Sequence, residues 1–114
     1  MVKSKPYVPR RGDIVWLDFT PQSGHEQRGR RPAVTISQLS YNAKTNLALF
    51  CPITSQEKGY PFEVSVASGS KIHGVILSDQ IKSLDWQTRN AEFIEHLDDE
   101  TLDELIAKVR TLID

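Results

Sequence analysis

The chain has 114 residues, of which 39% are hydrophobic and 25% are charged, and its net charge is −1. This length predicts one domain over residues 1–114 that buries its own core. The single cysteine, Cys51, excludes an internal disulfide and any multi-cysteine zinc site. The N-terminus has no apolar signal region and no window holds the roughly 18 apolar residues of a membrane span, so we expect a cytoplasmic protein without membrane contact.

The charges are distributed unevenly along the chain. Residues 1–31 carry a net charge of +4, whereas residues 92–114 carry −6. A basic front half indicates a polyanionic partner. For the acidic end, we prefer a solvated helix face.

Short apolar and alternating runs predict five to seven strands, separated by polar connections. They cover residues 14–19, 33–37, 47–53, 62–66, 74–77 and 81–86, with a short last pairing at 90–94. Residues 39–46 are polar and predict a turn. Arg31 precedes Pro32, which favours an extended backbone before it, so we place Arg31 at the mouth of the second strand.

The end of the chain predicts one helix. Asp98 or Asp99 can cap it, and acidic residues fill its first turns, where the helix dipole favours them. Apolar residues at 102, 105, 106, 109, 112 and 113 form a one-sided stripe. The predicted fold is therefore mainly β or α+β: a small antiparallel, SH3-like β-barrel whose open end is covered by a C-terminal amphipathic helix.

The densest polar chemistry lies in residues 23–34, which read SGHEQRGRRPAV between two apolar runs. Loops that carry convergent polar groups are where binding and catalysis concentrate. The sequence holds no GxxxxGK[ST], GxGxxG or HExxH pattern, and His25, His73 and His96 are scattered. We therefore expect no cofactor and no metal.

The remaining groups suit a phosphodiester. Arg28, Arg30 and Arg31 offer planar forks that pair bidentately with phosphate oxygens. Thr54, just past the third predicted strand, offers a hydroxyl for a developing phosphorane oxygen. From the residues alone, a solvated basic loop with Arg31 in a structural salt bridge and Thr54 satisfying a strand end remains open.

Three segments carry a resemblance that covers nearly the whole chain. They are GDIVWLDFTPQSGHEQRGRRPAV, FCPITSQEKGYPFEV and GVILSDQIKSLDW. The chain resembles the MazF/PemK family of toxin ribonucleases from bacterial toxin–antitoxin pairs. The resemblance implies a homodimer with a β-barrel-like fold that cuts single-stranded RNA without metal, leaving a 2′,3′-cyclic phosphate. It also implies a cognate antitoxin, whose acidic and initially disordered segment would fill the basic groove.

The resemblance also implies two alternative sets of catalytic residues. In MazF-type members, two residues carry catalysis: the arginine of R-P-A-V, and the threonine two residues after the proline of the next strand. In this chain they are Arg31 and Thr54. PemK-type members use a histidine, an aspartate and an arginine; this chain has His25 and Asp79, but Leu77 stands at the arginine position. That departure favours the MazF-type pair.

The sequence also offers candidate residues for proton transfer and for RNA contact. Arginine stays protonated in proteins, so we assign Arg31 to charge stabilisation and leave the general base open between His25 and Glu26. The candidate RNA-binding residues are Gln27, Arg28, Arg30, Asp79, Gln80 and Lys82.

Two other functions stay open at this point. CcdB-type toxins share the fold and poison DNA gyrase, but they end in Trp-Gly-Ile, whereas this chain ends in Leu-Ile-Asp. A non-catalytic nucleic-acid-binding module would use the same basic loop.

Overall fold

The structure is a computed structural model that describes residues 7–19, 29–67 and 69–114. Within these ranges the chain forms seven strands and two helices. In order they are β1 (Asp13–Phe19), β2 (Gly29–Thr35), α1 (Leu39–Thr45), β3 (Leu47–Thr54), β4 (Glu63–Ser65), β5 (Val75–Leu77), β6 (Lys82–Asp85), β7 (Glu92–His96) and α2 (Asp99–Thr111). Of the helices in the described ranges, neither has the length and apolar content needed to cross a membrane.

The strands form one antiparallel sheet in the order β4-β5-β3-β2-β1-β7, and β6 also pairs with β3. One edge of β3 faces β2, while its other edge pairs first with β6 and then with β5. On this second edge, the pairing with β6 ends at Phe50 and the pairing with β5 begins at Ile53, so Pro52 lies between the two. A residue without a backbone N–H is tolerated in such a gap. The predicted antiparallel β fold with a C-terminal helix is confirmed.

Apolar residues cover both faces of the central strands. One cluster contains Ile14, Val34, Ile36, Cys51, Ile53, Val64, Ile76, Leu97, Leu105 and Val109. The second cluster lies on the other face and contains Val15, Leu17, Ala33, Ala48, Phe50 and Trp86. Because β1 contributes to both clusters, it is buried on both faces, as its continuous apolar run predicts. These clusters fix the strands from which the polar loops emerge.

Helix α2 begins as the sequence predicts. The Asp98 carboxylate accepts a hydrogen bond from the backbone N–H of Thr101 at 3.1 Å, which satisfies one free donor of the first turn. Leu105 and Val109 are buried in the first cluster. The prediction that the apolar stripe continues through 112 and 113 is wrong: the helix ends at Thr111, and these two side chains are 44% and 80% exposed.

The turn predicted at residues 39–46 is also wrong, because this segment forms the two-turn helix α1. Its seven residues mix strong helix formers with weaker ones, and so short a helix depends on tertiary contacts for its conformation. The buried Asn42 side chain donates to the carbonyl oxygen of Pro9 at 2.8 Å, and the backbone carbonyl oxygen of Asn42 accepts from the Trp86 indole at 3.0 Å. Asn46 then ends the helix with a left-handed φ of 61°.

Strand β2 begins earlier than predicted. The sequence places its first residue at Ala33, but the structure pairs Gly29 with Phe19 and continues the ladder from there. Arg31 therefore lies inside β2, opposite Leu17, and not at the mouth of the strand. Residues 29–32 pair only with β1, so the strand tolerates Pro32 along an edge.

Candidate functional site

The two residues expected to carry catalysis lie at the same end of neighbouring strands. The last recorded pair between β2 and β3 is Ala33 with Pro52. The two strands are not paired beyond this point, but the same antiparallel register continued by two residues would bring Arg31 opposite Thr54. Directly opposite residues project from the same face of a sheet, with Cα atoms about 5 Å apart where the ladder continues. Arg31 is exposed and Thr54 is partly buried, so both can be reached from solvent.

The Thr54 hydroxyl has a defined local partner. Its oxygen accepts a hydrogen bond from the backbone N–H of Gln56 at 3.1 Å, in a turn closed by the side chain. A hydroxyl carries one donor and two acceptor positions. Because the Gln56 contact uses the oxygen, the hydroxyl proton stays available to donate to a phosphate oxygen.

Gly74, just before the neighbouring strand β5, supports the same segment. A Cβ at this position would overlap the Thr54 carbonyl oxygen and lie 3.3 Å from the Cα of Ser55. Its φ of +129° is also a conformation that side-chain-bearing residues rarely adopt. The close approach fixes the backbone beneath Thr54, and the sequence analysis did not identify it.

The Gly74→Ala variant is expected to lose about 3 kcal/mol of stability and to lower any activity that depends on Thr54, because strain and overlap act together. Urea unfolding and an activity assay at the same temperature measure both. The matched control is Gly69→Ala, whose φ of +92° is similarly strained but where a Cβ meets nothing within 4 Å. Equal losses in the two variants would show that close packing under Thr54 has no role.

Arg30 makes contacts that differ from those expected of an RNA-binding residue. Its guanidinium donates to Asp18 at 2.7 Å, to the carbonyl oxygen of Asn90 at 2.7 Å and to Glu92 at 3.2 Å. Asp18 also accepts from the Asn90 side-chain amide at 2.7 Å. The Asn90 hydrogen bond, followed by that of Arg30, lowers the pKa of the Asp18 carboxyl below its usual value. In this arrangement the positive charge of Arg30 is balanced by the carboxylates of Asp18 and Glu92, and its contact with RNA remains a prediction.

The other candidate RNA-binding residues lie in the β5–β6 connection and at the start of β6. Asp79 and Gln80 are in the connection, Lys82 is the first residue of β6, and all three are exposed. The connection is anchored by Ser78, whose hydroxyl donates to the carbonyl oxygen of Phe62 at 2.6 Å. Lys82 pairs with Phe50 of β3, so the connection lies along the edge of β3 that faces away from β2. The structure thus brings these side chains to the strand that carries Thr54, but on the side away from Arg31.

The environment of Cys51 makes its thiol unreactive. The side chain is fully buried, and this burial raises the pKa of the thiol to about 12. The nearby negative charge of Asp79 acts in the same direction. The thiol therefore stays protonated at neutral pH and does not act as a nucleophile.

Four candidate residues lie outside the described residues: His25, Glu26, Gln27 and Arg28. Their roles stay predictions from the sequence. In the ranges that the structure does describe, no group of three or more His, Cys, Asp and Glu side chains could hold a metal ion. Metal independence is likewise a prediction, which a chelator can test.

An antiparallel sheet with a C-terminal helix, together with the sequence motifs that hold Arg31 and Thr54, is the arrangement of a class of small toxin domains. The chain belongs to the family of PemK-like, MazF-like toxins of type II toxin–antitoxin systems, whose model matches residues 10–113. It is 49% identical over 107 residues to the endoribonuclease toxin MazF of Escherichia coli K12, covering 94% of this chain and 96% of that protein.

Solved structures of MazF proteins also share the fold of this chain. The fold matches the crystal structure of MazF from Deinococcus radiodurans with a TM-score of 0.87 and 47% identity, covering 95% of this chain and 98% of that one. A MazE–MazF crystal structure from the same organism matches with a TM-score of 0.88 and 47% identity, covering 95% and 97%. The resemblance that the sequence motifs indicated is confirmed.

Proposed function

We propose that this chain is the toxin of a type II toxin–antitoxin pair and acts in the cytoplasm as an endoribonuclease on single-stranded RNA. The observation that supports the proposal is the β2–β3 register, which ends at Ala33 and Pro52 and, continued by two residues, would bring the exposed Arg31 opposite the partly buried Thr54. Relatives that match along most of the chain are named endoribonuclease toxins, which supports the same activity.

In the proposed reaction, the RNA supplies its own nucleophile. The 2′-oxygen attacks the adjacent phosphorus, the new O2′–P bond forms, and the bond from phosphorus to the 5′-oxygen breaks. A general base, for which His25 and Glu26 are the candidates, takes the 2′-hydroxyl proton, and the departing 5′-oxygen gains a proton. The products are a 2′,3′-cyclic phosphate and a 5′-hydroxyl.

The proposed roles of Arg31 and Thr54 follow from their chemistry. The guanidinium of Arg31 carries a fixed positive charge and a planar fork for the non-bridging oxygens of the phosphorane. The Thr54 hydroxyl donates one further hydrogen bond to the same charge. Interactions that strengthen as charge develops lower the barrier and not merely the Michaelis constant.

The proposed partners are a second copy of the chain and a cognate antitoxin. The related toxin from D. radiodurans has been crystallised as a MazE–MazF complex. The antitoxin expected here uses an acidic, initially disordered segment, because a polyanion that neutralises the basic groove competes with RNA.

The test is to incubate the purified chain with a long single-stranded RNA in excess EDTA and to map the ends of any fragments. Discrete cuts with 2′,3′-cyclic phosphate and 5′-hydroxyl ends are expected. Binding without fragments would replace the proposal with a nucleic-acid-binding module. Gyrase-dependent DNA damage without RNA fragments would replace it with a gyrase poison.

Lys82 provides a quantitative test of the RNA-binding surface. Lys82→Gln is expected to weaken RNA binding and to reduce the salt slope of log K by about 0.7, the value for one phosphate contact with a single strand. The matched control is Lys44→Gln, an exposed charge on α1 at the opposite end of β3 from Thr54. Fluorescence anisotropy over a salt series measures both, and identical slopes would remove Lys82 from the binding surface.

A further inference from the structure

Four polar side chains form a connected network, the Asp18 clamp, across three strands beside the candidate site. Its members are Asp18 on β1, Arg30 on β2, Asn90 just before β7, and Glu92 on β7. Each oxygen of the Asp18 carboxylate accepts a hydrogen bond, one from Arg30 at 2.7 Å and one from Asn90 at 2.7 Å. Arg30 in turn donates to the Asn90 carbonyl oxygen, which closes a ring of contacts.

The backbone around the Asp18 clamp supports this geometry. The backbone N–H of Asp18 donates to the carbonyl oxygen of Arg89 at 2.9 Å, and the Arg89 guanidinium donates back to the carbonyl oxygen of Asp18 at 3.2 Å. Asn90 holds a left-handed φ of 56°, a conformation that asparagine tolerates better than most residues. The turn before β7 is therefore shaped so that the Asn90 amide and carbonyl both face β1 and β2.

The position of the Asp18 clamp relates it directly to Arg31. Asp18 pairs with Arg30, and the next recorded pair, Phe19 with Gly29, is the last before residues 20–28. Residues 29–32 of β2 pair only with β1, so the sheet supports this end of the strand from one side. Contacts that hold Arg30 to β1 and β7 therefore fix the backbone from which Arg31 projects.

Strand alternation separates the two arginines. Successive side chains of a strand point to opposite faces, so Arg30 and Arg31 project away from each other. Arg31 shares its face with Ala33 of the second apolar cluster, whereas Arg30 faces two carboxylates. The charge of Arg30 is thus balanced by Asp18 and Glu92, whereas Arg31 carries the positive charge that faces RNA.

We propose that Asp18 and Asn90 are positioning residues for catalysis, which hold β2 through Arg30 so that Arg31 meets the phosphodiester in a productive geometry. This inference rests on the proposed endoribonuclease function. Exposed ion pairs contribute little to global stability. Positioning errors near 1 Å, in contrast, can reduce a rate about 100-fold. The Asp18 clamp is therefore expected to matter for the rate far more than for folding.

The test compares Asp18→Asn and Asn90→Gly with the parent chain. Asp18→Asn keeps the size of the side chain but removes its charge and places an amide donor in the network. Asn90→Gly allows the left-handed backbone but removes the amide that binds Asp18. We expect kcat to fall roughly 10- to 100-fold in each variant, while binding of a 2′-O-methylated RNA, which cannot be cleaved, stays within about twofold of the parent.

Two further variants complete the design. Asp18→Glu restores the carboxylate and is expected to recover part of the lost kcat. Glu104→Gln removes a surface ion pair to Lys108 on α2, at 3.7 Å, and is expected to change neither kcat nor RNA binding. Thermal unfolding of every variant reports global stability, and the midpoints are expected to match that of the parent.

The outcomes separate this inference from the proposed function. An unchanged kcat in Asp18→Asn and Asn90→Gly would overturn the positioning role, as would a fall in kcat matched by an equal loss of RNA binding. A large drop in the unfolding midpoint would assign the Asp18 clamp to folding and likewise overturn it. If the parent chain itself cuts no RNA, the proposed function fails before the Asp18 clamp is tested.

Discussion

Replacement of Arg31 by alanine is expected to reduce RNA cleavage about 10³-fold, because it removes a fixed positive charge from the developing phosphorane. The loss should appear in kcat, since the interaction strengthens as charge develops on the phosphate. Arg31 is exposed at an edge segment of β2, so its truncation should change the free energy of unfolding by no more than about 0.5 kcal/mol. Single-turnover cleavage in EDTA and circular dichroism measure the two effects.

The Arg31→Lys variant sharpens this prediction. Lysine retains the charge but presents it as a point and loses the planar fork that fits two phosphate oxygens. We expect a rate between those of the parent and Arg31→Ala. A lysine variant as slow as the alanine variant would assign the effect to bidentate geometry, and an alanine variant that cleaves at the parent rate would remove Arg31 from the mechanism.

The sheet could be predicted from the sequence because its strands are short apolar runs bounded by turn residues. Strands β1 and β3 contribute to both apolar clusters, and such strands leave a nearly continuous hydrophobic signal. The boundaries of β2 were missed because the residues that extend it are a glycine, two arginines and a proline. Their pairing depends on Asp18 and on β1, which a local pattern does not reveal.

Helix α1 illustrates the same limit. Its segment is short and mostly polar, with no apolar repeat of helical period, so the local pattern indicates a turn. The helix is held by Asn42, which is buried and bonded to Pro9 and Trp86 from distant parts of the chain. Only the three-dimensional arrangement brings these partners together.

The candidate site could be predicted in part. Family motifs identify Arg31 and Thr54, and the β2–β3 register is consistent with their acting together. The residue chemistry alone groups Arg30 with Arg28 and Arg31 as phosphate-binding forks, and it does not reveal the contacts of Arg30 with Asp18, Asn90 and Glu92. Two arginines that are adjacent in the sequence point to opposite faces of a strand, and this difference becomes visible only once β2 is known to include them.

Replacement of Thr54 by valine is expected to lower kcat about 10²-fold, the usual cost of removing one donor to a developing negative charge. Valine keeps the branched shape but cannot accept the hydrogen bond from the backbone N–H of Gln56. We therefore also expect a loss of about 1 kcal/mol in stability. Cleavage kinetics and urea unfolding measure the two effects on the same preparation.

The Thr54→Ser variant separates the chemical role from the local turn. Serine keeps the hydroxyl that accepts from Gln56 and donates to the phosphate, so its rate should stay within about tenfold of the parent. If valine and serine were equally slow, the methyl group and not the hydroxyl would be the feature that matters. If valine cleaved at the parent rate, the developing charge would rest on Arg31 and on loop residues, because a hydroxyl at position 54 would then contribute nothing to the barrier.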